Sequence, residues 1–164
     1  MSEAAADLRV GLGVDAHAFG DGVPLVLGGV RIDHPRGLVG HSDGDVVAHA
    51  LTDALLGAAG LADIGALFPS DDERYRGADS LALLAEAYHR VREAGFELVN
   101  ADCVLVGQEP RIAPHREAMR HRIAAALGVS PDRVNVRATT TDRLGFTGRG
   151  EGLAAEAVAL LRSV

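Results

Sequence analysis

The chain has no lysine and no tryptophan, a single cysteine, and only two tyrosines and four phenylalanines among its 164 residues. Without lysine there is neither a Schiff base nor a lysine general base, and all 16 cationic side chains are arginines. One cysteine, Cys103, cannot close an intrachain disulfide or build a multi-thiolate zinc site. It lies in an apolar run and reads as a buried, inert thiol. The shortage of aromatics leaves the core to Ala, Val and Leu, which a 48% hydrophobic composition supplies for one domain. A formal charge of −7 with no offsetting basic run excludes a nucleic-acid binder, whose phosphate-contacting face must be positive. No apolar stretch reaches membrane-spanning length. Residues 1–7 are alanine-rich and acidic, without the basic flank and apolar run of a signal peptide. They are predicted to be a loose tail before a single domain over 8–164, in a cytoplasmic protein.

What is present is concentrated between His41 and Asp53. Asp45, His49 and Asp53 fall four apart and share one helical face. Ser42 or Asp43 reads as the N-cap of a helix over 43 to about 60, with Val46, Ala50, Leu51, Ala54 and Leu55 facing inward. Upstream, residues 8 to about 19 read as a strand, which turns Asp15 and His17 the same way. Adding His49 gives a carboxylate and two imidazoles, a set suited to zinc or another borderline divalent metal, with a coordination position left for substrate. The plainer reading is that D-x-H and a helical histidine are unrelated polar residues.

The rest of the chain alternates strand and helix signals. Gly28-Gly29 between two short apolar runs signals a β-hairpin near the N-terminus, and His34 in the following loop is expected to be exposed. Residues 61–73 mix Ile64, Leu67 and Phe68 with several acids; a flap over a pocket and a plug at the domain edge fit equally. A second helix is predicted over about 79–94, a strand over 96–106, a third helix over about 114–127 stopped by Gly128, and a strand over 134–141. His115 and His121 are expected on the wet face of that third helix. The last segment, 151–161, is ambiguous: alanine and leucine favour helix, while the sheet needs partners. The 20 glycines imply tight turns or close backbone approach to a ligand.

Three hydroxyls at Thr139, Thr140 and Thr141, then Asp142 and a glycine-rich run holding Phe146, Arg149 and Glu151, offer what phosphate oxygens need: hydroxyls, exposed N–H groups and a guanidinium fork. Asp142 among such ligands makes sense beside a hard cation such as magnesium. A β-branched strand followed by a glycine-rich turn is the equally good structural explanation.

Four motifs occur in order: D-x-H at Asp15 and His17, HSDGD-x-x-x-HA-x-x-DALLGAA from His41, DIG-x-LFP from Asp63, and ATTT-x-x-LGF-x-GRGEG from Ala138. Through them the chain after residue 7 resembles the 2-C-methyl-D-erythritol 2,4-cyclodiphosphate synthases of non-mevalonate isoprenoid biosynthesis. The resemblance implies an α+β fold, a mixed β-sheet covered on one side by helices, with the last segment a strand, in a homotrimer with sites at subunit boundaries. It implies a lyase that closes 4-diphosphocytidyl-2-C-methyl-D-erythritol 2-phosphate onto itself and releases CMP. Zinc would be held by Asp15, His17 and His49, and magnesium or manganese at the diphosphate with help from Asp142. His41 and Thr140 would stabilise developing charge, and Ser42 would fix the methylerythritol phosphate. Asp63, Ile64, Gly65, Phe68, Pro69, Ser70, Asp71 and Asp72 would shape the methylerythritol pocket. Gly107, Gln108, Glu109, Pro110, Arg111, Ile112 and Ala113, with Thr139 to Asp142, would hold the cytidine diphosphate end. Phe146, Arg149 and Glu151 resemble the lining of an axial cavity that can take an isoprenoid diphosphate.

Three kinds of departure from the family pattern occur, at four positions. Asp142 stands where Glu is usual, which shortens the reach to magnesium; Arg111 and Arg137 stand for Lys; Ser70 replaces an acid in the flap. Asp45 and Asp53 read as partners that orient His49 rather than as a solvated stripe. Two rivals to the synthase are a metal-dependent phosphoesterase using an activated water and a non-catalytic carrier of isoprenoid diphosphates.

Overall fold

A computed structural model describes residues 5–164. The residues Met1 to Ala4 of the expected tail lie outside that range. Asp7 is not loose: its backbone exchanges hydrogen bonds with Ser163, so the first strand's pairing extends to it.

Strand β1 (Leu8–Asp21) is followed by the hairpin β2 (Leu25–Leu27) and β3 (Val30–Ile32), then by β4 (Arg36–Leu38). Gly28 and Gly29 both adopt positive φ, as a two-residue hairpin turn requires. Helix α1 (Val46–Ala58) leads through the single turn α2 (Ile64–Leu67) to α3 (Ser80–Glu93), β5 (Phe96–Val106), α4 (Arg116–Leu127), β6 (Val134–Thr139), the short α5 (Gly145–Gly148) and β7 (Gly152–Ser163). The main sheet has the order β4-β1-β7-β5-β6; β5 and β6 run parallel and the other pairs antiparallel. This is the expected mixed sheet with its helices on one side.

The final segment is a strand, against its helix propensity. Its alternation explains why: Leu153, Ala155, Ala157, Ala159 and Leu161 are buried and Glu156, Val158 and Arg162 are exposed, the period of a strand rather than a helix. Wedged between β1 and β5, β7 satisfies its backbone on both edges. The small Ala side chains let α1 lie close.

On β1 the approach is closer still. Gly11 and Gly13 face α1, and a Cβ on either would fall 2.0 Å from the Ala54 carbonyl oxygen or 1.8 Å from that of Ala50. These glycines accommodate a helix backbone, not a ligand. The opposite face of β1 carries Val10, Leu12 and Val14, 57 to 70% exposed, an apolar stripe with no helix over it.

The start of α1 also differs from expectation. The N-cap is Asp45, whose Oδ1 accepts from Ala48 N at 3.1 Å, so the helix begins two to three residues after Ser42 and Asp43. The third helix likewise begins with a 3-10 turn over Ala113–His115 before α4 proper. His121 is exposed as expected, whereas His115 is half-buried.

Candidate active site

β1 and α1 together bring Asp15, His17 and His49 to one point. Asp15 and His17, two apart on the strand, face the same way, and His49 enters from the first turn of α1. Their donor atoms all lie within 4.8 Å of one another. His49 Nδ1 is 3.1 Å and His17 Nε2 is 2.9 Å from the same atom, Asp15 Oδ2. His17 Nε2 is buried and lies outside hydrogen-bond geometry despite that distance. Two ring nitrogens crowding one carboxylate oxygen, one of them unpartnered, fit a divalent ion held by one oxygen and two nitrogens.

The electrostatics agree. Burial is the largest single influence on Asp15 and opposes its charge, but contacts with His17 and His49 outweigh it and hold the carboxyl down at about 2. Asp15 in turn raises the His17 ring, so protons and a metal compete for this cluster.

The triad opens on a cavity of about 210 Å³ lined by His17, His41, Ser42, His49, Ile64, Gly65, Phe68, Ser70, Tyr75 and Leu83. The 61–73 segment therefore lies over a pocket, and Phe68, stacked edge-on against Tyr75 at 5.1 Å, forms part of its wall. His41 reaches across, its Nε2 3.1 Å from the Asp72 carbonyl oxygen. Other flap residues face elsewhere. Asp63 caps α2 through Ala66 N, and the Asp72 carboxylate is bound to Arg74 at 2.7 Å. Pro69 and Asp71 are not among the lining residues.

A second cavity, about 280 Å³, is lined by Gly107, Gln108, Pro110, Arg111, Ile112, Ala113, Arg116, Arg137, Ala138, Thr139 and Thr140. It combines hydroxyls with guanidinium forks, of which Arg137 is anchored to Asp102 at 2.9 Å. Glu109 points away, with Oε2 3.6 Å from His34 Nε2. His34 is not exposed: its side chain is 8% accessible and stacks on Phe19 at 5.7 Å. Thr141 bonds the Leu144 carbonyl and the Thr147 hydroxyl rather than facing the cavity. Asp142 and Arg143, both exposed, hold positive φ of 51° and 67°, a sparsely populated conformation for residues with a Cβ. Phe146 and Arg149 line neither cavity; both are exposed, and Arg149 pairs with Glu151 at 3.0 Å. Within one chain, His41 and Thr140 line different cavities.

Neither proposed orienter's carboxylate bonds the His49 ring; Asp45 meets His49 only through the helix backbone, His49 N donating to the Asp45 carbonyl oxygen at 3.0 Å. Asp45 is fully buried and accepts from Gly28 N (2.9 Å), Gly29 N (2.8 Å) and Ala48 N, tying the hairpin to the start of α1. Burial pushes its carboxyl up to about 6 against those three donors. Asp53 accepts from Ile64 N at 2.7 Å and so positions the flap. The groups in contact with His49 Nε2 are instead Ser80 and Ser42. Sequence reasoning missed Ser80, Tyr75 and Arg116. For Ser80 the only signal was Asp79-Ser80 as a helix start, which says nothing of a reach to His49.

Among the described residues no helix is long and apolar enough to cross a membrane. Residues 8–162 match the model of the YgbB family. The 2-C-methyl-D-erythritol 2,4-cyclodiphosphate synthase of Rubrobacter xylanophilus is 65% identical over 156 residues, 93% of this chain and 94% of that one. The bifunctional IspDF of Campylobacter jejuni superposes with a TM-score of 0.94 at 48% identity, over 98% of this chain and 43% of that longer one. A 2C-methyl-D-erythritol-2,4-cyclodiphosphate synthase in a CDP-bound form superposes with a TM-score of 0.85 at 41% identity, over 93% and 99%. A match to nearly the whole chain, by sequence and by fold together, makes this protein a member of the YgbB family, that of the 2-C-methyl-D-erythritol 2,4-cyclodiphosphate synthases.

Proposed function

We propose that the chain converts 4-diphosphocytidyl-2-C-methyl-D-erythritol 2-phosphate to 2-C-methyl-D-erythritol 2,4-cyclodiphosphate and CMP. The observation that carries this reading is the convergence of Asp15, His17 and His49 on the cavity that the flap covers. An oxygen of the 2-phosphate attacks the β-phosphorus, and the bond from β-phosphorus to the oxygen bridging the α-phosphate breaks. CMP leaves with that oxygen. Two anions must meet, so charge neutralisation and positioning are the whole of the catalytic problem.

Asp15, His17 and His49 hold zinc, which when bound supplies a Lewis acid for a phosphoryl oxygen. Ser42 and His41, at the mouth of the same cavity, donate to the 2-phosphate and steady its approach. Ile64, Gly65 and Phe68 enclose the methylerythritol carbons and exclude water. The cavity of Arg111, Arg116, Thr139 and Thr140 takes the cytidine diphosphate end. Asp142, exposed in the turn three residues beyond β6, contributes to a magnesium site at the diphosphate.

The two cavities of one subunit serve different active sites, each completed by a neighbouring copy in a homotrimer. The uncovered stripe of Val10, Leu12 and Val14 supports this, since exposed apolar patches of that kind mark interfaces. Phe146, Arg149 and Glu151 belong to an axial cavity for an isoprenoid diphosphate, and the enzyme works in the cytoplasm.

The test is to incubate the purified protein with its substrate and with the analogue lacking the 2-phosphate, following CMP release and the phosphorus NMR of the product. Cyclisation predicts CMP from the first alone and a cyclic diphosphate in the spectrum. CMP from both would mean hydrolysis by water. CMP from neither, with isoprenoid diphosphate bound, would make the protein a carrier.

A further inference from the structure

The side of His49 away from Asp15 is the more tightly built. Its Nε2 is 2.7 Å from Ser80 Oγ and 2.9 Å from Ser42 Oγ. Ser80, the first residue of α3, is completely buried. Asp43 grips it twice: Oδ1 accepts the Ser80 hydroxyl and Oδ2 accepts the Ser80 backbone N–H at 3.0 Å. Asp43 is held in turn by Asp45 N, which donates to Oδ1 at 3.1 Å. An ionised carboxylate only accepts, so Asp43 draws the Ser80 proton to itself and leaves a Ser80 lone pair facing His49. The ring can then donate from Nε2.

A metal-ligating imidazole offers its lone pair at one nitrogen when the other nitrogen carries a proton and has somewhere to put it. We propose that Ser80, locked by Asp43, is the positioning residue that fixes His49 with its proton on Nε2 and its Nδ1 lone pair toward Asp15 and His17. Ser42 also reaches Nε2, but it lines the cavity and turns to the substrate phosphate, whereas Ser80 is enclosed and serves the ring throughout. The inference rests on the metal-site reading of Asp15, His17 and His49.

Its test measures zinc affinity by competition with a chromophoric chelator, in the wild type and in the Ser80→Ala, Ser80→Thr, Asp43→Asn and Asp15→Ala variants. Loss of an outer hydrogen-bond partner of a ligating histidine costs roughly 10- to 100-fold in metal affinity, which is the expectation for Ser80→Ala. Ser80→Thr, which keeps the hydroxyl, recovers affinity, and Asp43→Asn weakens it. The visible bands of the cobalt-loaded protein shift in Ser80→Ala and return in Ser80→Thr. Wild-type zinc affinity in Ser80→Ala overturns the inference and leaves the metal site standing. Should Ser80→Ala fail to fold, unchanged zinc affinity in Asp43→Asn overturns it equally. Zinc binding that Asp15→Ala leaves untouched overturns the metal site itself.

Discussion

Replacing Gly13 by alanine tests what holds Asp15, His17 and His49, the proposed zinc ligands, in register. At this residue β1 and α1 meet main chain to main chain: the new Cβ would lie 1.8 Å from the Ala50 carbonyl oxygen and 2.8 Å from Ala54 N. Both obstacles are backbone atoms, so no rotamer change relieves the clash, and helix and strand must part by more than about 1 Å in a close-packed interior. Overpacking alone typically costs about 1–3 kcal/mol, and parting the layers also loosens the contacts of Ala54 and Leu55 with the sheet. We expect a loss of about 3 kcal/mol, a large share of the roughly 5–15 kcal/mol that stabilises a domain. The same displacement carries His49 away from Asp15 and His17, so zinc affinity falls with stability. Guanidinium unfolding of the metal-free protein and a zinc titration measure the two. Gly57→Ala is the control, since its Cβ meets nothing within 4 Å and a helix-interior alanine is favoured by up to about 1 kcal/mol. A Gly13→Ala loss below about 1 kcal/mol, with zinc affinity intact, would refute the claim that backbone contact sets the site.

Asp45 gives a pH signature. Its folded carboxyl titrates near 6 against the ordinary 3.8, so its contribution to stability is full below about pH 4 and is lost as pH rises through 6. Relative to Asp45→Asn, the wild type is expected to lose about 2 kcal/mol between pH 4 and 7.5 in denaturant titrations, each pKa unit being worth about 1.4 kcal/mol; parallel curves would show that the charged form is not disfavoured. Cys103 is fully buried and its thiol is pushed up to about 12, first by burial and then by nearby carboxylates. A thiol-specific chromogenic reagent should react only as fast as the protein unfolds, and rapid labelling of the native state would contradict this. Asp142→Asn tolerates the same positive φ while removing the charge. It should raise the magnesium concentration needed for half-maximal turnover and leave zinc affinity unchanged, both read from metal titrations.

The sequence displayed the meeting of Asp15, His17 and His49 because two short-range periodicities suffice: i,i+2 on a strand aims Asp15 and His17, and the first turn of a helix places His49. It could not display which polar neighbours support the triad. Four-residue spacing made Asp45 and Asp53 look like partners of His49, yet Asp45 sits at the cap, where its side chain turns back to Ala48 N and the hairpin amides. Ser80 contacts a residue 31 positions away, and no local pattern encodes that meeting. The strand character of β7 was present in its alternation but masked by alanine, a helix former used here for its small size. The glycines of β1 were visible, while the partner that required them was a helix packed against them.

His41 and Thr140 line separate cavities of one subunit, so on the proposed assembly each catalytic centre borrows from two chains. Damage is then not confined to the subunit that carries it. A His49→Ala protein and a Thr140→Ala protein, each inert alone, regain function when their subunits are scrambled, because some boundaries join two undamaged halves. Random reassortment in a cyclic trimer leaves about one boundary in four intact. Complementation between two dead enzymes is thus a property that the placement of these cavities writes into the assembly.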